Sequence, residues 1–76
     1  MDKTVMAKKL KALRGKRTQV EVAEAVGITP SAYAMYESGQ RIPRDDTKVK
    51  LAKYFNKSIK FIFFDDDTHS ELETGA

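Results

Sequence analysis

The stretch TQVEVAEAVGITPSAYAMYESG, Thr18 to Gly39, decides the fold. It begins with a hydroxyl and places Glu21 three residues on, the capping-box pattern in which hydroxyl and carboxylate each accept from an amide that a helix start leaves unpaired. Val22, Ala23 and Val26 then share one helical face, and Gly27 can take the positive φ that ends a helix at little cost. A second start follows at once. Thr29 suits the N-cap, Pro30 suits the first helical position where no amide proton is needed, and Gly39 suits the left-handed position that ends the run. The punctuation predicts helices over about 19–26 and 29–38. Tyr33 and Tyr36 turn inward with Ile28, which leaves Pro30, Ser31, Ala32, Ala34 and Met35 outside. Two short helices joined by a tight glycine-bearing turn have the form of a helix-turn-helix over residues 19–38.

Working outward, Met6, Leu10 and Leu13 make an apolar stripe at i, i+4, i+7, with Lys8, Lys9 and Lys11 opposite. They predict a first helix over roughly 4–14, broken by Gly15. Downstream, a polar, basic loop QRIPR leads to DDTKVKLAKYFN. There Asp45 and Asp46 suit the positive end of a helix dipole, Val49, Leu51, Ala52 and Phe55 are expected to line the inner face, and Asn56 to end the helix. Ser58 can cap a last short helix, SIKFIFF, whose aromatic and β-branched content reads almost as well as a strand. Helix is preferred because a lone strand would have no partner. The expectation is an all-α, five-helix domain over residues 5–64, followed by an acidic, disordered tail at 65–76.

Composition narrows the function. A chain of 76 residues buries only about 60% of the surface its unfolded form exposes, which leaves little room for an enzyme cleft. There is no cysteine for a disulfide or thiolate site, and the one histidine, His69, builds neither a metal site nor a general base by itself. No nucleophile–base pair is apparent, so a non-enzymatic role without cofactor, metal or small-molecule substrate is expected. The segment MDKTVMAKKLK lacks a signal-peptide core and no apolar run could span a membrane, which points to the cytoplasm. Residues 1–64 carry all 14 Lys and Arg against 6 Asp and Glu, a net of about +8, whereas residues 65–76 carry 5 acids and no base. A basic body of this size suits a polyanion.

The segments TQVEVAEAVGITPSAYAMYESGQRIP and KLAKYFNKSIKFIFF together resemble the Cro/C1-type (XRE) family of bacterial and phage transcriptional regulators, over about residues 5–64. The matching positions are Gln19, Ala23, Gly27, Ile28, Tyr36, Glu37, Gly39, Pro43, Leu51, Ala52, Phe55 and Ser58. The resemblance implies a λ-repressor-like domain that places its third helix in the DNA major groove, usually as a two-fold dimer, and hence a sequence-specific regulator, in the simplest case a repressor in a bacterial or phage-infected cell. Arg17 stands where that family often has an apolar residue, and Tyr33 where Ile, Val or Leu is usual, so the Tyr33 hydroxyl needs a place.

On that reading Pro30, Ser31, Ala32 and Met35 face the bases. They exclude charged readout of guanine from this helix. Ser31 can donate to or accept from a base edge, while Ala32 and Met35 can meet thymine methyl groups. Phosphate contacts are expected from Lys16, Arg17, Thr18 and Gln19 around the second helix start, from Thr29, and from Ser38, Arg41 and Arg44 after the third helix. Glu37 is expected to work structurally, through an inward hydrogen bond or ion pair. Ile59, Phe61, Ile62, Phe63 and Phe64 cannot all turn inward on one short helix, so Phe61 or Phe64 is expected to stay exposed, and Ile59, Phe61 and Phe64 are the expected dimer contact, on a palindromic operator. The competing expectation is a protein-interaction module of the same fold, an antitoxin or adaptor, docking through the C-terminal aromatic segment.

Overall fold

The computed structural model describes residues 2–64; the acidic segment read at 65–76, His69 included, lies outside the described residues. Four α-helices, α1 (Lys3–Arg14), α2 (Gln19–Val26), α3 (Pro30–Glu37) and α4 (Asp45–Phe55), are followed by a π-helical turn, Lys60–Phe64. No strand occurs among the described residues.

Each boundary has a local cause. Asp2 Oδ1 accepts from the amides of Thr4 (2.8 Å) and Val5 (3.3 Å), a cap that starts α1 one residue earlier than the apolar stripe indicates. The capping box of α2 is complete: the Glu21 amide donates to Thr18 Oγ1 at 3.0 Å and the Thr18 amide to Glu21 Oε1 at 2.8 Å. Gly27 ends α2 at φ 85°, and Asn56 ends α4 at φ 58°. Thr29 Oγ1 accepts from the Ala32 amide at 3.1 Å, with Pro30 in the first turn of α3. Ser58 Oγ accepts from the Phe61 amide at 3.0 Å and starts the last turn. Helix over strand was therefore the right reading there. The wide π turn lets consecutive Ile62 and Phe63 both bury while Phe64 stays 57% exposed.

The core joins Met6 and Leu10 of α1, Val22, Ala23 and Val26 of α2, Tyr33 and Tyr36 of α3, and Leu51, Ala52 and Phe55 of α4, closed by Ile62 and Phe63. α3 packs between α1 and α2, α2 against α4, and α1 against the π turn. One expectation fails on α4. Val49 is exposed, and Thr47 and Lys48 are buried instead. The inner stripe runs through 47, 48, 51, 52 and 55, two adjacent rows that leave Val49 beyond their edge. Lys48 joins it because its stem is apolar: Nζ lies 5.0 Å from the centroid of the Phe64 ring and 5.9 Å from that of Phe63, with Asp45 Oδ1 at 3.6 Å. Phe61 needs a similar correction. It is half-buried against the core, Lys9 Nζ stands 4.6 Å from its ring centroid and donates to its carbonyl at 2.6 Å, and Lys57 Nζ lies at 5.7 Å. A cation-covered ring is a poor open aromatic contact, so of Ile59, Phe61 and Phe64 only Phe64 is fully open.

Candidate nucleic-acid interface

α3 is an eight-residue rod anchored from one side. Tyr33 and Tyr36 hold it to the core, while Pro30, Ser31 and Met35 stand exposed. Ala32, expected among the more open residues, is half-buried against the core because it lies one row nearer Tyr36, and Ala34 is half-buried on the opposite flank. The exposed row carries no charge, a property of its residue types that burial leaves intact.

The C-terminal end of the rod is fixed by a buried carboxylate. Arg14 Nε donates to Glu37 Oε2 at 2.7 Å and Arg14 Nη2 to Oε1 at 3.1 Å, a two-pronged pair, and Gln19 Nε2 donates to Oε1 at 3.1 Å. One side chain, 4% exposed, thus ties together α1, α2 and α3. The expected inward role of Glu37 is what the geometry gives. Burial pushes its carboxyl up, but the bonds from Arg14 and Gln19, with the Tyr33 hydroxyl and the Arg14 charge close by, outweigh burial and hold it below its ordinary value. The pair correspondingly raises Arg14 against the opposing cost of burial. Tyr33 is pushed well up, by burial first and then by the nearby carboxylate. Its hydroxyl is buried with no hydrogen bond of good geometry. Tyr33→Phe, which deletes that unsatisfied group, is therefore expected to hold the melting temperature or raise it by a few degrees, read by circular dichroism; a fall of more than about 5 °C would mean that the hydroxyl is engaged.

Two hollows flank the rod. One, about 640 Å³, has a lining that includes Ile28, Ala32, Tyr36 and Ile42, with Thr29, Arg41 and Arg44 among its walls. The other, about 290 Å³, is lined by Lys11, Arg14, Gln19, Ala34, Glu37 and Ser38. Arg41 and Arg44, on the larger hollow, are exposed, as is Lys16 in the link between α1 and α2. Thr18 and Thr29 use oxygen lone pairs for capping, which leaves each O–H free to donate outward. In the first turn of α2 the Glu21 amide is taken by Thr18 Oγ1, and the amides of Gln19 and Val20 have no acceptor within their helix.

Two expected phosphate donors are otherwise engaged. Arg17 Nε donates to the Arg14 carbonyl at 3.0 Å and Nη2 to the Leu13 carbonyl at 2.6 Å, and its guanidinium lies 5.1 and 5.3 Å from the ring centroids of Tyr54 and Phe55. It ends α1 and lids α4, which is how a cation occupies an apolar position. Ser38 Oγ donates to the Met35 carbonyl at 3.1 Å, so its proton is committed within α3. Gln19 keeps its backbone amide but turns its side-chain nitrogen to Glu37. Lys11, which the sequence did not single out, lines the smaller hollow. Its spacing marks only an outer helix face, and no local signal places it in the hollow beside Gln19 and Ser38.

Comparison with known proteins agrees with this geometry. A family model described as helix-turn-helix, HTH_3, matches residues 8–62. The transcriptional repressor RstR of the cryptic phage CTXphi, from Vibrio cholerae, is 33% identical over 67 residues, which cover 86% of this chain and 60% of that protein. This chain thus spans about 60% of the length of the curated relative it matches. Among solved structures, the solution structure of the SOS-response transcriptional repressor LexA from Eubacterium rectale superposes with a TM-score of 0.80 at 26% identity, over 87% of this chain and 71% of that one.

Proposed function

The chain belongs to the HTH_3, Cro/C1-type helix-turn-helix family, and from that membership we propose that it is a sequence-specific transcriptional repressor that binds double-stranded DNA with α3 in the major groove. The observation that carries the reading is the neutral exposed row of Pro30, Ser31 and Met35 with exposed Arg41 and Arg44 lining the hollow beside it, while Lys16 is exposed in the link before α2. An uncharged rod approaches base edges closely, while the cations beside it meet the sugar–phosphate strands on either side. Thr18, Thr29 and the amides of Gln19 and Val20 add neutral donors to phosphate. Lys11, on the smaller hollow, adds a cation from α1. Two similar relatives are named as repressors. We read the protein as acting inside a bacterial or phage-infected cell. Among the described residues no helix is long and apolar enough to cross a membrane.

Met35, with the edge of Ala32, favours thymine methyl groups, Ser31 can hydrogen-bond a base edge, and the neutral row excludes charged guanine readout, so operator half-sites rich in thymine are expected. Selection from a random duplex library would give sequence, symmetry and spacing together. Guanine-dominated half-sites read by α3 would contradict the assignment. A homodimer on a palindromic operator, with the exposed Phe64 and half-buried Ile59 in its contact, would set two copies of α3 about one DNA turn, roughly 34 Å, apart. The interaction-module reading loses ground because Phe61, one of the aromatics of its docking segment, is half-buried and covered by Lys9 and Lys57.

Arg41→Ala is expected to weaken binding to all sequences alike and to lower the slope of log K against log salt by about one. An unchanged slope would remove Arg41 from the phosphate set.

A further inference from the structure

The larger hollow beside α3 combines features that DNA alone does not need. The buried and half-buried part of its lining, Ile28, Ala32, Tyr36 and Thr47, makes a mostly apolar floor, with Ile42 exposed on the same hollow. Two guanidinium groups, those of Arg41 and Arg44, belong to its walls, and both residues are exposed. A phosphate strand would use the arginines and leave the apolar floor unmatched. A ligand that fits the whole hollow carries one aliphatic side chain between two carboxylates.

This chain contains such a segment. Residues 65–76 hold 5 acids and no base, and their one large aliphatic residue is Leu72, set between Glu71 and Glu73. The route is short. Phe64 leaves the fold with its ring 5.0 Å from Lys48 Nζ on α4, and Thr47, the residue before Lys48, lines the hollow, with Arg44 directly before the first residue of α4. The eight residues from Phe64 to Leu72 can extend up to about 26–29 Å, more than two helix diameters. Tethering at that distance gives an effective concentration on the order of millimolar.

We propose that Glu71, Leu72 and Glu73 dock in the hollow walled by Arg41 and Arg44, with Leu72 on the apolar floor, and so compete with DNA for the same cations. This rests on the reading of Arg41 and Arg44 as DNA contacts. Docking lowers the affinity for short or non-specific duplexes and is displaced where α3 gains base contacts. The same chain then discriminates more sharply without any new contact to the operator.

The test uses the full chain, with Leu72→Ala, Glu71→Gln/Glu73→Gln and, as a charge-matched control, Asp65→Asn/Asp66→Asn. Without DNA, backbone and guanidinium resonances of Arg41, Ile42 and Arg44 should move in Leu72→Ala and in the double glutamine variant and stay in place in the control. On a duplex of random sequence at low salt, Leu72→Ala should bind about 3-fold tighter and the double glutamine variant about 10-fold tighter, with the gain shrinking to about 2-fold when salt is raised several-fold. If Leu72→Ala changes neither spectrum nor affinity and the control matches the glutamine variant, the effect is bulk charge and docking is overturned. Shifts at Lys53 and Lys57 instead, beside the separate hollow over Val49 and Ile59, overturn it as well. Shifts at Arg41 and Arg44 with unchanged DNA affinity would confirm docking while removing those arginines from the DNA interface.

Discussion

Glu37→Ala is expected to lower folding stability by about 3–5 kcal/mol, the loss typical when one member of a buried ion pair is deleted and the other remains. For a chain of this length the total is roughly 4–11 kcal/mol, so a large share of the molecules should unfold near body temperature. The loss has three parts: the two-pronged Arg14 pair, the Gln19 bond, and a guanidinium left partly buried without its counter-charge. Urea unfolding followed by circular dichroism measures it; a loss below about 1 kcal/mol would mean that the pair is ornamental. Arg14→Met combined with Glu37→Met should recover most of the deficit, because a well-packed apolar pair no longer carries the desolvation cost. A pH signature accompanies this. Glu37 is held below its ordinary value of 4.5 in the folded protein, so on acidification the unfolded chain takes up that proton first. The contribution is therefore complete above about pH 5–6 and falls away as pH drops through 4.5 and then through the lower folded value. In Glu37→Gln this part of the acid sensitivity should be missing.

Met35→Glu is expected to weaken specific binding by about 100-fold or more while leaving the melting temperature within a few degrees. Met35 is 37% exposed and lies outside the buried core, so its replacement removes little packing. On DNA, the carboxylate would have to lose its water against base edges and sit in the field of nearby phosphates, a penalty on the order of 3 kcal/mol. Net charge changes too, and that alone weakens binding. Val49→Glu supplies the control, with the same charge change on an exposed site of α4. It should cost only a few-fold. Equal losses in the two variants, measured by fluorescence anisotropy at fixed salt, would sink the placement of α3 against the bases.

The helix boundaries were legible because their causes are local. Thr18 with Glu21, Thr29 with Pro30, and Gly27 and Asn56 at helix ends lie within a few residues of the amides and carbonyls they satisfy. The errors arose where the partner is distant in sequence or a long side chain divides its roles. Arg14 meets Glu37 across 23 residues, so only the inward role of Glu37 could be read, not its partner. Lys48 and Arg17 are charged by composition yet bury stems and place cations over aromatic rings, which displaced Val49 from the inner face and took Arg17 from the phosphate set. The exposed row of α3 was legible as a row, but Ala32 proved half-covered, since helical spacing tells which side a residue is on and not how far the neighbouring loop reaches. Lys11 could not be found because its place depends on how α1 crosses α2 and α3.

The way α3 is fastened also shapes what selection can do with it. Its anchors are Tyr33, Tyr36 and Glu37, whereas the row turned to solvent bears almost none of the packing. If α3 reads bases as proposed, replacing Ser31 or Met35 is expected to change preference among operators with little change in folding free energy. A lineage can drift to a new regulatory target in one or two steps without passing through an unfolded ancestor, and sister proteins in one cell can become mutually blind by changing those positions alone.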